Sequence, residues 1–233
     1  MSPPVSNSEW RRVSLPILLG LLALVPLLSV PLTGFLGRAA GWPIGVIFLG
    51  LAGAMVPSAI RVANGDVITW HAAWVPELGL DLALRLDGLS VIFIALALVI
   101  GALVFFYSTT YFTKGNQRGF YVIMTGFTFA MVALTVSDSL VLMFLTWELT
   151  SLASFLLIAR SGHAGEAASM RTMLLTFIGG LALLAAVALI MARTGTSTFS
   201  QAVASPVWGS DPAFTGLIAV LVAAAGFSKA AQF

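Results

Sequence analysis

No cysteine occurs anywhere in the sequence. That excludes disulfides, thiolate metal sites and cysteine nucleophiles. Charge is also scarce. Only 9% of the residues are Asp, Glu, Lys or Arg, where a soluble domain carries about a quarter. The formal net charge of +2 is too small for a nucleic-acid binder. There is no glycine-rich phosphate loop, no HExxH zinc motif and no GxSxG nucleophile elbow. No enzyme-type constellation, metal site or cofactor is therefore expected.

What is present is apolar: 59% of the residues are hydrophobic. Uncharged runs cover 13–37, 39–60, 88–113, 119–137, 139–147, 149–159, 172–192 and 212–228. A helix needs roughly 20 mainly apolar residues to cross the hydrocarbon core. The runs do not alternate as barrel strands do. The fold class expected is an all-α polytopic membrane protein. Its seven segments fall at about 14–36, 42–60, 88–111, 119–136, 139–159, 170–192 and 212–233. Pro16, Pro26 and Pro31 lie in the first, where neighbouring groups can satisfy the carbonyls that proline frees. Arg11-Arg12 precedes a long run without a cleavage site, so this reads as a first membrane helix, not a removed signal.

Three regions follow: a two-helix segment at 1–63, an extramembrane β-hairpin at 64–88 and the remaining membrane helices at 89–233. The hairpin rests on "VITWHAAWV" and "LGLDLALRL", which alternate in polarity between the turn signals Asn64-Gly65-Asp66 and Pro76-Glu77. His71 lies within it and reads as a surface or packing residue. Basic residues do not settle the orientation. Arg11, Arg12, Arg61, Arg85 and Arg193 flank one side, and Arg38, Lys114, Arg118, Arg160 and Arg171 the other.

Two charges fall inside the apolar runs. Glu148 lies in "FLTWELTSLASFLLI". An ionised carboxylate at mid-bilayer costs at least about 2.5–3.5 kcal/mol, so it must face protein or a wet cavity. Ser151 is one turn on and can donate a hydrogen bond to it. Such an acid either loads and releases protons or pins two helices through a buried ion pair. Lys229 lies in "AVLVAAAGFSKAAQF", after Gly226 and Ser228, which favour a loosened helix. It either relays protons or snorkels to the interface. Asp87 and Asp138 stand where helices open and fit N-caps. Asp138 is also kept as a proton-path candidate. His163, in the polar loop "ARSGHAGEAASMR", could feed protons to the sixth segment. Gly41/Gly45 and Gly179-Gly180 read as close-packing sites.

At these residues the chain resembles a known family. "RLDGLS" at 85–90, "SDSLVLMFLTWELTSLASFLLI" at 137–158 and "GFSKAAQF" at 226–233 are similar, in order, to motifs of the antiporter-like subunits of Mrp-type cation/proton antiporters and respiratory complex I. "WELTSLASFLLI" and "SKAAQF" most resemble the large A subunit of Mrp-type Na⁺/H⁺ antiporters. The resemblance implies that Glu148 and Lys229 form a switching ion pair in a proton half-channel, with the seventh helix broken near Lys229. It implies an N-terminus and hairpin outside the plasma membrane, other Mrp-type subunits and the lipid bilayer as partners, and Na⁺ and H⁺ as transported ions. Family members continue past "SKAAQF", so it also implies an incomplete first repeat. Two alternatives stand: a proton-pumping subunit of a complex I-like oxidoreductase, and a structural half-subunit that only docks onto partners.

Overall fold

A computed structural model describes residues 15–75, 77, 80–112, 117–160 and 163–230, with the side chains of 163–167 left aside. Among the described residues, six stretches are apolar and long enough to cross a membrane. The first, Leu15–Ala63, is 49 residues long and folds into two helices, α1 (Leu15–Leu36) and α2 (Gly41–Ala63). The others hold α3 (Gly88–Tyr111), α4 (Arg118–Val136), α5 (Leu140–Ala159), α6 (His163–Thr194) and α9 (Pro212–Lys229). The seven expected segments are thus all helices. Two short helices, α7 (Phe199–Val203) and α8 (Val207–Ser210), fill the link between α6 and α9.

The chain turns between α1 and α2 at Gly37, whose φ of 56° suits a residue without Cβ. Tyr121 of α4 holds this turn. Its hydroxyl donates to Arg38 O at 2.7 Å and accepts from Ser108 Oγ at 3.0 Å. Gly41 lets α2 touch α3, because a Cβ there would stand 2.6 Å from Thr109 Cγ2.

The hairpin forms as the alternation predicts. β1 (Ile68–Val75) pairs antiparallel with β2 (Leu80–Leu86), with Ile68 opposite Leu86 and His71 opposite Ala83. His71 is exposed. Ala83, Leu84 and Leu86 are buried, so β2 lies against the helix ends. The register shifts between Ala73 and Val75. Pro76 and Arg11-Arg12 lie outside the described residues.

Packing divides into two cores. α1 lies on α4 and α2 on α3, around Leu18, Leu22, Phe48, Leu98, Phe105 and Tyr121. α5, α6 and α9 pack together, around Leu140, Leu183, Ala186, Val187, Ile218 and Ala225. Large apolar side chains such as Ile100, Leu103, Ile178 and Val220 face outward, while Thr125, Thr128, Thr146 and Thr150 are buried. A water-soluble domain would do the reverse. In a bilayer the outside is as apolar as leucine, and inward hydroxyls and small residues hold the helices together.

Two readings are corrected. The polar stretch around His163 is not a loop: α6 begins at His163 and runs unbroken to Thr194. Asp138 does not cap α5. Ser139 does, accepting from Leu142 N at 3.4 Å. Asp138 is 2% exposed and reaches across to α7, accepting from Ser200 N at 2.9 Å and Ser200 Oγ at 2.8 Å. Its backbone joins the same knot: Asp138 N donates to Ala83 O, and Phe199 N donates to Asp138 O. One residue therefore ties the hairpin, the start of α5 and the α6–α9 link. Asp87 caps α3 as expected, accepting from Ser90 N at 3.0 Å.

Candidate functional site

The site lies where α5, α6 and α9 meet. α5 supplies Glu148 and its neighbours, since residues one turn apart share a face. α6 supplies two glycines. α9 supplies Lys229, in its last turn.

The α6 glycines set the distances. A Cβ on Gly179 would stand 2.7 Å from Ser228 Cβ, so α9 can lie directly on α6 there. A Cβ on Gly180 would stand 2.8 Å from Glu148 Cδ and 3.0 Å from Oε2. The carboxylate thus occupies the space where a side chain at 180 would be. These glycines read as packing sites in the sequence. The structure gives Gly180 a further part, as the floor under the acid.

Lys229 turns inward and does not snorkel. Its Nζ donates to Trp147 O at 2.8 Å, to Ser151 Oγ at 2.9 Å and to Thr150 Oγ1. It also sits 4.7 Å from the centre of the Trp147 ring, a cation–π distance. α9 is continuous through Gly226 and Ser228, and the Ser228 hydroxyl donates to Ala225 O at 2.8 Å. In the last described turn Ala230 N donates to Gly226 O, and the residues after 230, where a break near Lys229 would show, lie outside the described residues.

Glu148 is close to this cluster but outside it. Its Oε1 is buried and has no hydrogen-bond partner among the described residues. Lys229 and Glu148 are within electrostatic reach, yet the ammonium bonds to other groups on α5. Ser151 does not serve Glu148 as expected. Its hydroxyl donates to Trp147 O at 3.2 Å and accepts from Lys229. Thr150 and Trp147 join the site without having been expected from the sequence. Their only signal was adjacency to Glu148 in "WELTS".

The remaining candidates lie apart. Asp138 is ten residues before Glu148, about 15 Å at the helical rise. It borders a polar recess of about 450 Å³ at the hairpin end, with Arg85, Asp87, Ser90, Ser137 and Ser200. Between recess and pair is an apolar cavity of about 320 Å³, lined by Leu140, Met143, Trp147, Leu183, Val187 and Ala225 among others. The side chain of His163 lies outside the described residues.

The sequence and fold are similar to those of known proteins. Residues 137–233 match the family model described as NADH:quinone oxidoreductase/Mrp antiporter, transmembrane. Residues 72–122 match that for the N-terminus of chain 5 of NADH-ubiquinone oxidoreductase (complex I). A putative antiporter subunit mnhA2 from Staphylococcus haemolyticus is 32% identical over 228 residues, 95% of this chain and 28% of the relative. The large A-type chain of the Na(+)/H(+) antiporter of Alkalihalophilus pseudofirmus is 35% identical over 199 residues, 83% of this chain and 24% of the relative. A chain of the Mrp complex from Dietzia sp. DQ12-45-1b superposes with a TM-score of 0.86 at 39% identity, covering 92% of this chain and 23% of that one. The chain therefore spans about a quarter of the length of these relatives. With both family models, these relatives and the fold in agreement, the chain belongs to the family of antiporter-like membrane subunits shared by Mrp antiporters and NADH:quinone oxidoreductases.

Proposed function

We propose that the chain is the N-terminal part of the large A-type chain of a multi-subunit antiporter that exchanges Na⁺ for protons across the plasma membrane. It acts there as a secondary-transporter component beside other Mrp-type subunits. The carrying observation is a buried carboxylate oxygen on Glu148 with no partner among the described residues, beside an ammonium on Lys229 that is held by other groups of α5. A group left unsatisfied in such a place is costly, and intramembrane acids of this kind mark ion paths. In this reading Glu148 receives and releases the proton, and Lys229 supplies the opposite charge that controls it. The N-terminus and hairpin lie on the outer face.

Glu148→Gln keeps size and polarity but cannot ionise. The assembled complex carrying it should lose Na⁺-dependent proton movement in everted vesicles. Near wild-type movement at normal expression would overturn the role given to Glu148. The family models also cover complex I chains, which supports a second reading as a redox-coupled proton-pumping subunit. Iron–sulfur and quinone-binding chains in the purified complex would favour it.

A further inference from the structure

We infer that Thr150, Ser151 and the carbonyl of Trp147 form a resting seat for the Lys229 ammonium, separate from Glu148 and in competition with it. The inference rests on the proton-pair reading above and adds a second position to it. An ammonium has three N–H donors and no acceptor. Here three acceptors meet it: Trp147 O, Ser151 Oγ and Thr150 Oγ1. The two hydroxyls also donate to Trp147 O, at 2.8 Å from Thr150 and 3.2 Å from Ser151. Their protons are thereby directed to the carbonyl, leaving lone pairs for the ammonium. The Trp147 ring closes one side. The seat is complete without the carboxylate.

Glu148 Oε1 remains unpaired among the described residues. Both positions belong to one stretch of α5, and the flexible four-carbon stem of Lys229 is the part that would carry the ammonium from one to the other. With Lys229 in the hydroxyl seat, the carboxylate keeps a lone pair free to receive a proton. With Lys229 on the carboxylate, that lone pair is occupied. Thr150 and Ser151 are therefore positioning residues. They hold the lysine away from Glu148 during part of the cycle.

The test uses the assembled complex. Thr150→Val with Ser151→Ala removes both hydroxyls and leaves the seat only the Trp147 carbonyl and ring, which tips the competition for Lys229 toward the carboxylate. Na⁺-dependent proton movement in everted vesicles should fall at least tenfold, and Thr150→Ser should keep the wild-type rate. Thermal unfolding of the purified complex gives a second readout. Removing the hydroxyls should lower the midpoint by a few degrees, and this shift should vanish in a Lys229→Ala background. An equal shift in both backgrounds, or an unchanged rate in the double variant, would overturn the seat. Glu148→Gln measured alongside separates the two ideas. Exchange surviving in it defeats the proton-pair reading, while the thermal cycle still decides whether the seat exists.

Discussion

Glu148 holds its position because residue 180 has no side chain. The Cβ of an alanine there would meet the carboxylate end of a flexible side chain, not backbone. Folding should therefore tolerate Gly180→Ala. Alanine even favours a helix interior by about 1 kcal/mol over glycine. The carboxylate, however, must move, and displacements of about 1 Å at a reacting group cost on the order of a hundredfold in rate. We expect an assembled complex with an unchanged or raised unfolding midpoint and exchange slowed by roughly tenfold to a hundredfold. Exchange at the wild-type rate would show that the seat of the acid is unimportant. The acid and the lysine were legible in sequence because a charge inside an apolar run is costly and conspicuous. Thr150 and the part Ser151 plays were not, because a hydroxyl can bond back to its own helix anywhere. What they bind is decided by where α9 lies, which the local sequence does not encode.

At the scale of elements, α3 carries a pH-dependent start. The Ser90 backbone N–H bonds to Asp87 and, above all, holds its carboxyl below the usual 3.8. Partial burial opposes this, and the Ser90 hydroxyl and Arg85 add to it. A lowered value means stabilisation that is complete above the unfolded value and lost as pH falls through the folded one. Hydrogen exchange at the Ser90 and Val91 amides should thus show constant protection from neutral pH down to about pH 4, then a loss in more acidic buffer. Asp87→Asn should remove that transition, and its persistence would assign it to another group. Helices and hairpin were readable from uncharged runs and alternation. The start of α6 was not, since Glu166 and Arg171 read as loop polarity although Ala, Glu, Met and Arg all favour helix. Nor was α7, whose N-terminal cap comes from Asp138, 62 residues away from Ser200.

At the scale of the molecule, the two cores divide the work. The core of α1–α4 carries the hairpin and the Tyr121 lock, while the candidate site belongs to α5, α6 and α9. The hairpin marks one end of the bundle, with Asp138 and the Arg193–Asp211 ion pair. Arg160, packed over Gly119, marks the other. This sequence holds no cysteine, so a thiol placed in it can be read against the unsubstituted complex. His71 is exposed on β1, so His71→Cys introduces a single thiol. In intact cells it should react with a membrane-impermeant maleimide. Reaction only after the membrane is opened would place the hairpin inside.

The apolar cavity between the polar recess and the Glu148–Lys229 region has an electrical consequence. A region lined by leucine, methionine and tryptophan is an insulator, whereas a polar recess filled with water carries the potential of the aqueous phase it opens to. If the recess is wet and the cavity dry, the transmembrane voltage falls across the depth just ahead of Glu148. A unit charge crossing the whole field gains or loses about 2.3 kcal/mol per 100 mV. Much of that would be felt within this short distance, so a proton step between recess and acid would respond strongly to voltage.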